Sequence, residues 1–155
     1  MRMPQLNKLN IFAQHADNID VGTLIDIFRE DENSCLLGTD AVRDGIDVPG
    51  RSLRLLICDK VPWPRPNILH KARKVDFKNS NVDHNYDDIL VRLKLKQAFG
   101  RLIRKNTDHG VFVMLDKAMP SRLKSAFPDN INIQRLTLSE TVSETKKFLF
   151  KQNQY

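Results

Sequence analysis

Residues 35–59 read "CLLGTDAVRDGIDVPGRSLRLLICD", and the fold turns on how they divide. "CLLG" (35–38) and "LRLLICD" (53–59) are apolar runs with little alternation. A strand exposed on one face alternates, whereas a strand covered on both faces does not. Both runs therefore read as buried strands of a parallel sheet. Between them lies a polar loop, 38–50, which sets Asp40, Asp44 and Asp47 among Gly38, Gly45 and Gly50. Such glycines suit a tight loop that approaches a ligand. The spacing lacks the final bidentate glutamate of a calcium loop. By spacing alone, a turn of solvated aspartates is the slightly better reading. The loop's place after a buried strand favours the ligand.

The same pattern extends outward. "LNIFA" (9–13) is a candidate strand. Asp20 is a candidate N-cap for "VGTLIDIFRED", where Val21, Leu24, Ile25 and Phe28 repeat at helical spacing. "VPWPRPN" (61–67) holds Pro62, Pro64 and Pro66 and must be extended. Residues 74–85 are polar and read as a loop. A long helix is expected from near Tyr86 to about Lys105, then a strand in "GVFVML" (110–115). A short helix follows in "PSRLKSAF", an edge strand in "INIQRL" (131–136), and a last helix opened by a Thr137/Glu140 capping box. Its apolar stripe would be Leu138, Val142 and Leu149. Strands alternating with helices predict an α/β domain whose mostly parallel sheet is covered on both faces. Ligands bind at the carboxyl ends of such strands, here the loops 38–50, 59–68 and 116–120. No repeat or linker divides the chain, so one domain is expected, with its core over about residues 9–150.

The long helix ends in "QAFGRLIR" (97–104). Gln97, Arg101 and Arg104 fall at i, i+4 and i+7, on the face that Tyr86, Leu90 and Leu93 lead into. That face is expected to be the buried one. Two guanidinium groups there read either as a helix end whose arginines meet carboxylates or the C-terminal dipole, or as planar donors for phosphate. Trp63 and Arg65 could stack on the bases of a single strand, though a packing tryptophan is the plainer reading.

The composition is that of a folded globular chain: 155 residues, 41% hydrophobic and 28% charged, with a net charge of +6. The positive balance weakly favours a polyanionic partner. Cys35 and Cys58 lie in separate apolar runs and the four histidines are scattered, so free thiols are expected and no metal site. No apolar run approaches the ~20 residues that span a bilayer. With no apolar signal core at the N-terminus, a cytoplasmic location is expected, without membrane contact. No G-x-x-x-x-G-K-[ST] phosphate loop occurs, nor an acidic strand end for magnesium.

In this order, "LLGTDAVRDGIDVPGRSLRLLICDKVPWPRPN" resembles motif V, the following strand and the proline-rich segment after it, and "LKQAFGRLIRKNTDHGVFVMLDKAMPSRL" resembles motif VI (Q-x-x-G-R-x-x-R) and the strand that follows, in the C-terminal RecA-like domain of DinG/XPD-type superfamily-two DNA helicases. The resemblance spans about residues 10–136 and implies a three-layer RecA-like fold. It implies that Gln97, Arg101 and Arg104 face the ATP phosphates, the two arginines as fingers. Gly45, Asp47 and Gly100 would be cofactor-binding, and Thr39 and Asp40 would contact nucleic acid; Arg43, Trp63 and Arg65 are the further candidates for that contact. Many relatives carry Glu where this chain has Asp44.

The resemblance also implies ATP with Mg2+ held mainly by an N-terminal RecA-like domain that this sequence lacks. No iron–sulphur cluster is expected in this chain. The sheet is expected to lack its first strand, as in a fragment or split gene product. The chain alone is then not expected to hydrolyse ATP. Two alternatives remain beside the motor half: a nucleic-acid-binding module with no ATPase role, and an inactive helicase remnant.

Overall fold

The computed structural model describes residues 9–16, 18–48, 52–79 and 85–152, without the side chains of Arg43, Asp44 and Gln152. The described residues fall into two compact units. One runs to Leu56 and includes Gly100–Val111; the other comprises Ile57–Phe99 and the residues from Phe112 onward.

In the first unit, β1 (Asn10–Ala13) pairs in parallel with β2 (Ser34–Leu37), with Asn10 opposite Ser34 and Ala13 opposite Leu37. A parallel pair needs a crossover, and α1 (Val21–Glu30) supplies it. The expected cap is present: Asp20 Oδ1 accepts the Thr23 N–H at 3.0 Å. A cap of this kind stabilises a helix by about 1 kcal/mol. Leu24, Ile25 and Phe28 are buried, and α1 packs on β2 and on α2 (Asp40–Gly45). Val42, Ile46, Val48 and Leu53 complete the buried set of the 38–56 stretch. The reading of 38–50 as a loop is thus corrected: its first half is a short helix. The helix forms because Val42 and Ile46, four residues apart, are both buried.

Strands β3 (Leu55–Cys58) and β4 (Val111–Met114) form a second two-stranded sheet. The Val111 N–H donates to Arg54 O and the Leu115 N–H to Cys58 O, both at 2.9 Å. The two bonds advance together along both strands, so this pair is also parallel. The described strands therefore lie in two parallel pairs. Most residues of these strands are partly buried, while Leu37 is 58% exposed and Ile57 55%.

In the second unit, Val61, Val91, Leu95, Leu123 and Ala126 form a buried cluster, with Phe112, Met114 and Phe127 against it. Phe99, Phe112 and Phe127 meet edge-on or tilted, with Phe112 and Phe127 centroids 5.2 Å apart. The expected short helix is a 3-10 helix at Ser121–Ala126. The segment 61–67 has no regular structure, as its prolines require.

Three expectations are corrected. Residues 74–79 belong to a helix, α3 (Ile68–Asn79). Asn67 starts it, its Oδ1 accepting the His70 N–H at 2.7 Å. His70 and Phe77 then set their rings against Tyr86 at the start of α4 (Tyr86–Leu102), and Lys74 meets Asp87. The loop reading missed the Pro-Asn start signal. The rest of the 74–85 reading, residues 80–84, lies outside the described residues. Second, "INIQRL" is not a strand; Ile133 and Leu136 stay exposed, and the Arg135 guanidinium donates to Met119 O. Alternation alone makes no strand without a ladder partner. Third, the Thr137/Glu140 capping box forms at α5 (Leu138–Gln152), yet Leu138 and Val142 of its stripe are exposed.

Cys35 and Cys58 are free thiols, and burial pushes the Cys35 thiol up from its ordinary pKa. No helix among the described residues is long and apolar enough to cross a membrane.

Candidate functional site

Helix α4 presents a different face from the one its spacing suggested. Its buried positions are Asp88, Val91, Leu95, Ala98 and Leu102. Leu93 and Gln97, on the expected apolar face, are exposed. The helix also stops at Leu102, so Arg104 lies beyond its end. There Asp108 Oδ2 accepts the backbone N–H groups of Arg104 and Lys105, each at 2.8 Å. These donors hold the Asp108 carboxyl below the ordinary carboxylate range and close the turn that aims Arg104.

Arg104 meets Asp47. The Nη1 group donates to the Asp47 carboxylate as an ion pair. Nη2 reaches Ile46 O at 3.4 Å and Nε reaches Arg101 O at 3.3 Å. All three guanidinium nitrogens thus have an acceptor in this chain. The Asp47 backbone carbonyl is gripped separately by Arg29 of α1, through Nε at 3.2 Å and Nη2 at 3.0 Å. Nη1 of Arg29 donates to Asp26 Oδ1 at 2.7 Å, and Ser52 Oγ donates to Arg29 O at 2.9 Å. Arg29 was not singled out in the sequence; its partner lies 18 residues away, and no local spacing signals a side chain on a distant carbonyl.

At the start of the same stretch, the Thr39 N–H and Oγ1 both donate to Gln14 Oε1, each at 2.9 Å. Gln14 also continues the strand pairing, its N–H donating to Leu37 O. Gln14, too, carried no sequence signal. Asp40 occupies the first turn of α2, where a carboxylate suits the helix dipole. The side chains of Arg43 and Asp44 lie outside the described residues. Trp63 and Arg65 belong to the other unit, in the segment without regular structure, with Trp63 41% exposed. Arg101 is half-buried. Among the described residues no cluster could hold a metal ion.

The glycines separate into two kinds. A Cβ added at Gly38 would lie 2.3 Å from Val42 Cγ2 and 2.6 Å from Val42 Cβ, so packing itself forbids a side chain. Among the described residues, Gly45 would meet only Ile25 Cδ1 at 3.6 Å, and Gly100 nothing within 4 Å. Gly38→Ala is therefore expected to cost about 1–3 kcal/mol in urea unfolding. Gly100→Ala, inside a helix, is expected to add about 0.5–1 kcal/mol. Any loss of activity in Gly45→Ala or Gly100→Ala would then come from a ligand and not from the fold.

Comparison with known proteins gives a consistent set. The sequence model of a family described as the helicase C-terminal domain matches residues 2–134. An "ATP-dependent helicase DinG" of Mycobacterium tuberculosis is 37% identical over 63% of this chain and 15% of its own length. An "ATP-dependent DNA helicase YoaA" of Haemophilus influenzae is 37% identical over 65% of this chain and 16% of its own. A "3'-5' exonuclease DinG" of Bacillus subtilis is 26% identical over 76% of this chain and 13% of its own. The chain thus spans 13–16% of the length of these curated relatives. No solved structure matches it.

Proposed function

Because the chain belongs to the helicase C-terminal domain family, we propose that it is the C-terminal motor half of an ATP-dependent DNA helicase. In that reading it is one three-layer RecA-like domain, its core spanning about residues 9–150. ATP and Mg2+ are held mainly by a separate RecA-like domain that carries the phosphate loop. Arg101 and Arg104 act as fingers on the phosphates, with Gln97, Gly100, Gly45 and Asp47 lining the nucleotide side. Thr39, Asp40, Arg43, Trp63 and Arg65 contact a DNA strand.

The observation that carries this reading is the family match over residues 2–134, which takes in both motifs. Beside it stands the Arg104–Asp47 pair. It joins the two sequence motifs whose joint occurrence marks the resemblance, across 57 residues of chain. The planar donors that hold the Asp47 carboxylate could hold a phosphate oxygen in its place. Stabilisation of charge on a transferring phosphoryl group is electrostatic and needs such donors fixed in advance.

The test is ATP turnover by the full chain, alone and mixed with a phosphate-loop domain of the same family. No turnover is expected alone, and DNA-stimulated turnover in the mixture. Robust hydrolysis by the chain alone would overturn the split-site reading.

The exposure of Trp63 and Arg65 favours a strand contact outside the two motifs. Stacking of a base on an aromatic ring is worth about 1–3 kcal/mol, so Trp63→Ala is expected to weaken single-stranded DNA binding about 5- to 150-fold. Fluorescence anisotropy over a salt series measures this, with affinity falling as salt rises. Binding indifferent both to Arg101→Ala and to nucleotide would favour the second reading, a nucleic-acid module with no ATPase role.

A further inference from the structure

Asp47 is held at two points by two different arginines, and only one of them lies in the motifs that the family resemblance picks out. Its carboxylate pairs with Arg104, and its carbonyl accepts two N–H groups of Arg29. The Arg29 guanidinium is in turn fixed by Asp26, one turn earlier on α1. Two donors converging on one carbonyl restrain both the position and the tilt of that peptide. The carboxylate, joined to that carbonyl through Cα and Cβ, is anchored at its backbone end. Arg29 thus touches no group proposed to contact ATP except Asp47, and it acts on Arg104 only through Asp47.

We propose that Arg29 is the positioning residue of this site: by clamping the Asp47 carbonyl it keeps the Asp47 carboxylate on Arg104 as an internal occupant that an incoming phosphate must displace. The inference rests on the reading of Arg104 as a phosphate-facing residue and adds what controls its release. A carboxylate and a phosphate oxygen compete for the same planar donors. A clamped carboxylate competes at high effective concentration, whereas one on a loose segment loses that advantage. With Asp47 displaced, Nη1 is freed for the anion while the Nε contact to Arg101 O can persist. The Ile46–Asp47 segment would then shift with the occupancy of Arg104, because Ile46 O is also an Arg104 acceptor.

The test titrates inorganic tripolyphosphate into the purified full chain at low ionic strength, by calorimetry. Asp47→Asn removes the competing charge and is expected to tighten binding about tenfold. In an Arg29→Met background the same change is expected to give less than about a twofold gain, since an unclamped Asp47 no longer competes well. The comparison is a ratio of ratios, so the charge lost with Arg29 cancels. Arg29→Lys, which keeps the charge but loses the two-donor grip, is expected to fall between the two backgrounds. It also serves if the methionine variant fails to fold, as judged by circular dichroism.

An equal gain from Asp47→Asn in all backgrounds would overturn the role of Arg29. No gain in any background, with Arg104→Met still weakening tripolyphosphate, would overturn Asp47 as the occupant and leave the phosphate-facing role of Arg104 intact. Binding indifferent to Arg104→Met would overturn that role as well, and the inference with it.

Discussion

With Arg101 as the proposed finger, Arg101→Ala is expected to lower ATP turnover of the chain mixed with a phosphate-loop domain by about a thousandfold, the lower end of what an arginine finger contributes. The expectation follows from where the charge develops. A finger meets the phosphoryl group most strongly in the transition state, so kcat falls while KM changes little. Arg101→Lys recovers little of the loss, because an ammonium cannot present the planar fork. Arg104→Ala is expected to lower turnover too, but with a second signature. It leaves the Asp47 carboxylate without its ion pair and frees the Ile46 carbonyl, so DNA stimulation of turnover falls along with turnover itself. Single-turnover hydrolysis with and without DNA separates the two variants. A fall in KM-dependent binding alone, with kcat intact, would assign the arginines to ground-state binding and sink the finger role.

Arg122→Ala is expected to destabilise the chain, because it takes the two-point partner from a carboxylate that α4 buries. Asp88 is buried at the start of α4, and the Arg122 guanidinium grips it with Nε at 2.5 Å and Nη2 at 3.1 Å. Arg92 stands 3.8 Å away and cannot replace a two-point bond. Removing Arg122 strands a buried carboxylate; replacing Asp88 and Arg122 together by leucine is expected to cost less than Arg122→Ala, because no charge is left buried. Urea unfolding measures both variants against the wild type.

The pair also sets an acid limit. The Arg122 hydrogen bond, with help from the nearby positive charges, holds the Asp88 carboxyl below its ordinary value. A depressed folded-state pKa gives stability that is present above the unfolded value, about 4, and lost as pH falls through the folded one. Wild-type stability is therefore expected to drop below about pH 4 more steeply than that of the double leucine variant.

Several elements could be read from the sequence because their determinants are local. Asp20 caps α1 through Thr23, three residues on, and Thr137 and Glu140 form their box over the same distance. The strand at Asn10–Ala13 and the apolar runs near Cys35 and Cys58 need only their composition and the crossover lengths between them. The two motifs were legible for a similar reason, as fixed residue types at short spacing. Where the reading failed, a distant partner had decided. Asn67 opens α3 after a proline, but His70 and Phe77 become a helix face only because Tyr86 is there to receive them. "INIQRL" alternates like a strand and pairs with none.

Residue order alone carries the caps of α1 and α5, the parallel pairing that short apolar strands with helical crossovers require, and the family to which the chain belongs. Which side of α4 is buried depends on the tertiary fold, since spacing fixes angles about a helix axis without saying which angle meets the core. The tertiary fold alone decided the partner of Arg104. Two arginines after an apolar helix could meet a carboxylate or await a phosphate, and the chain brings Asp47 to Arg104 across 57 residues, steadied by an Arg29 that no motif contains. Long-range pairing depends on how the backbone folds back, and no local pattern of residues encodes that distance.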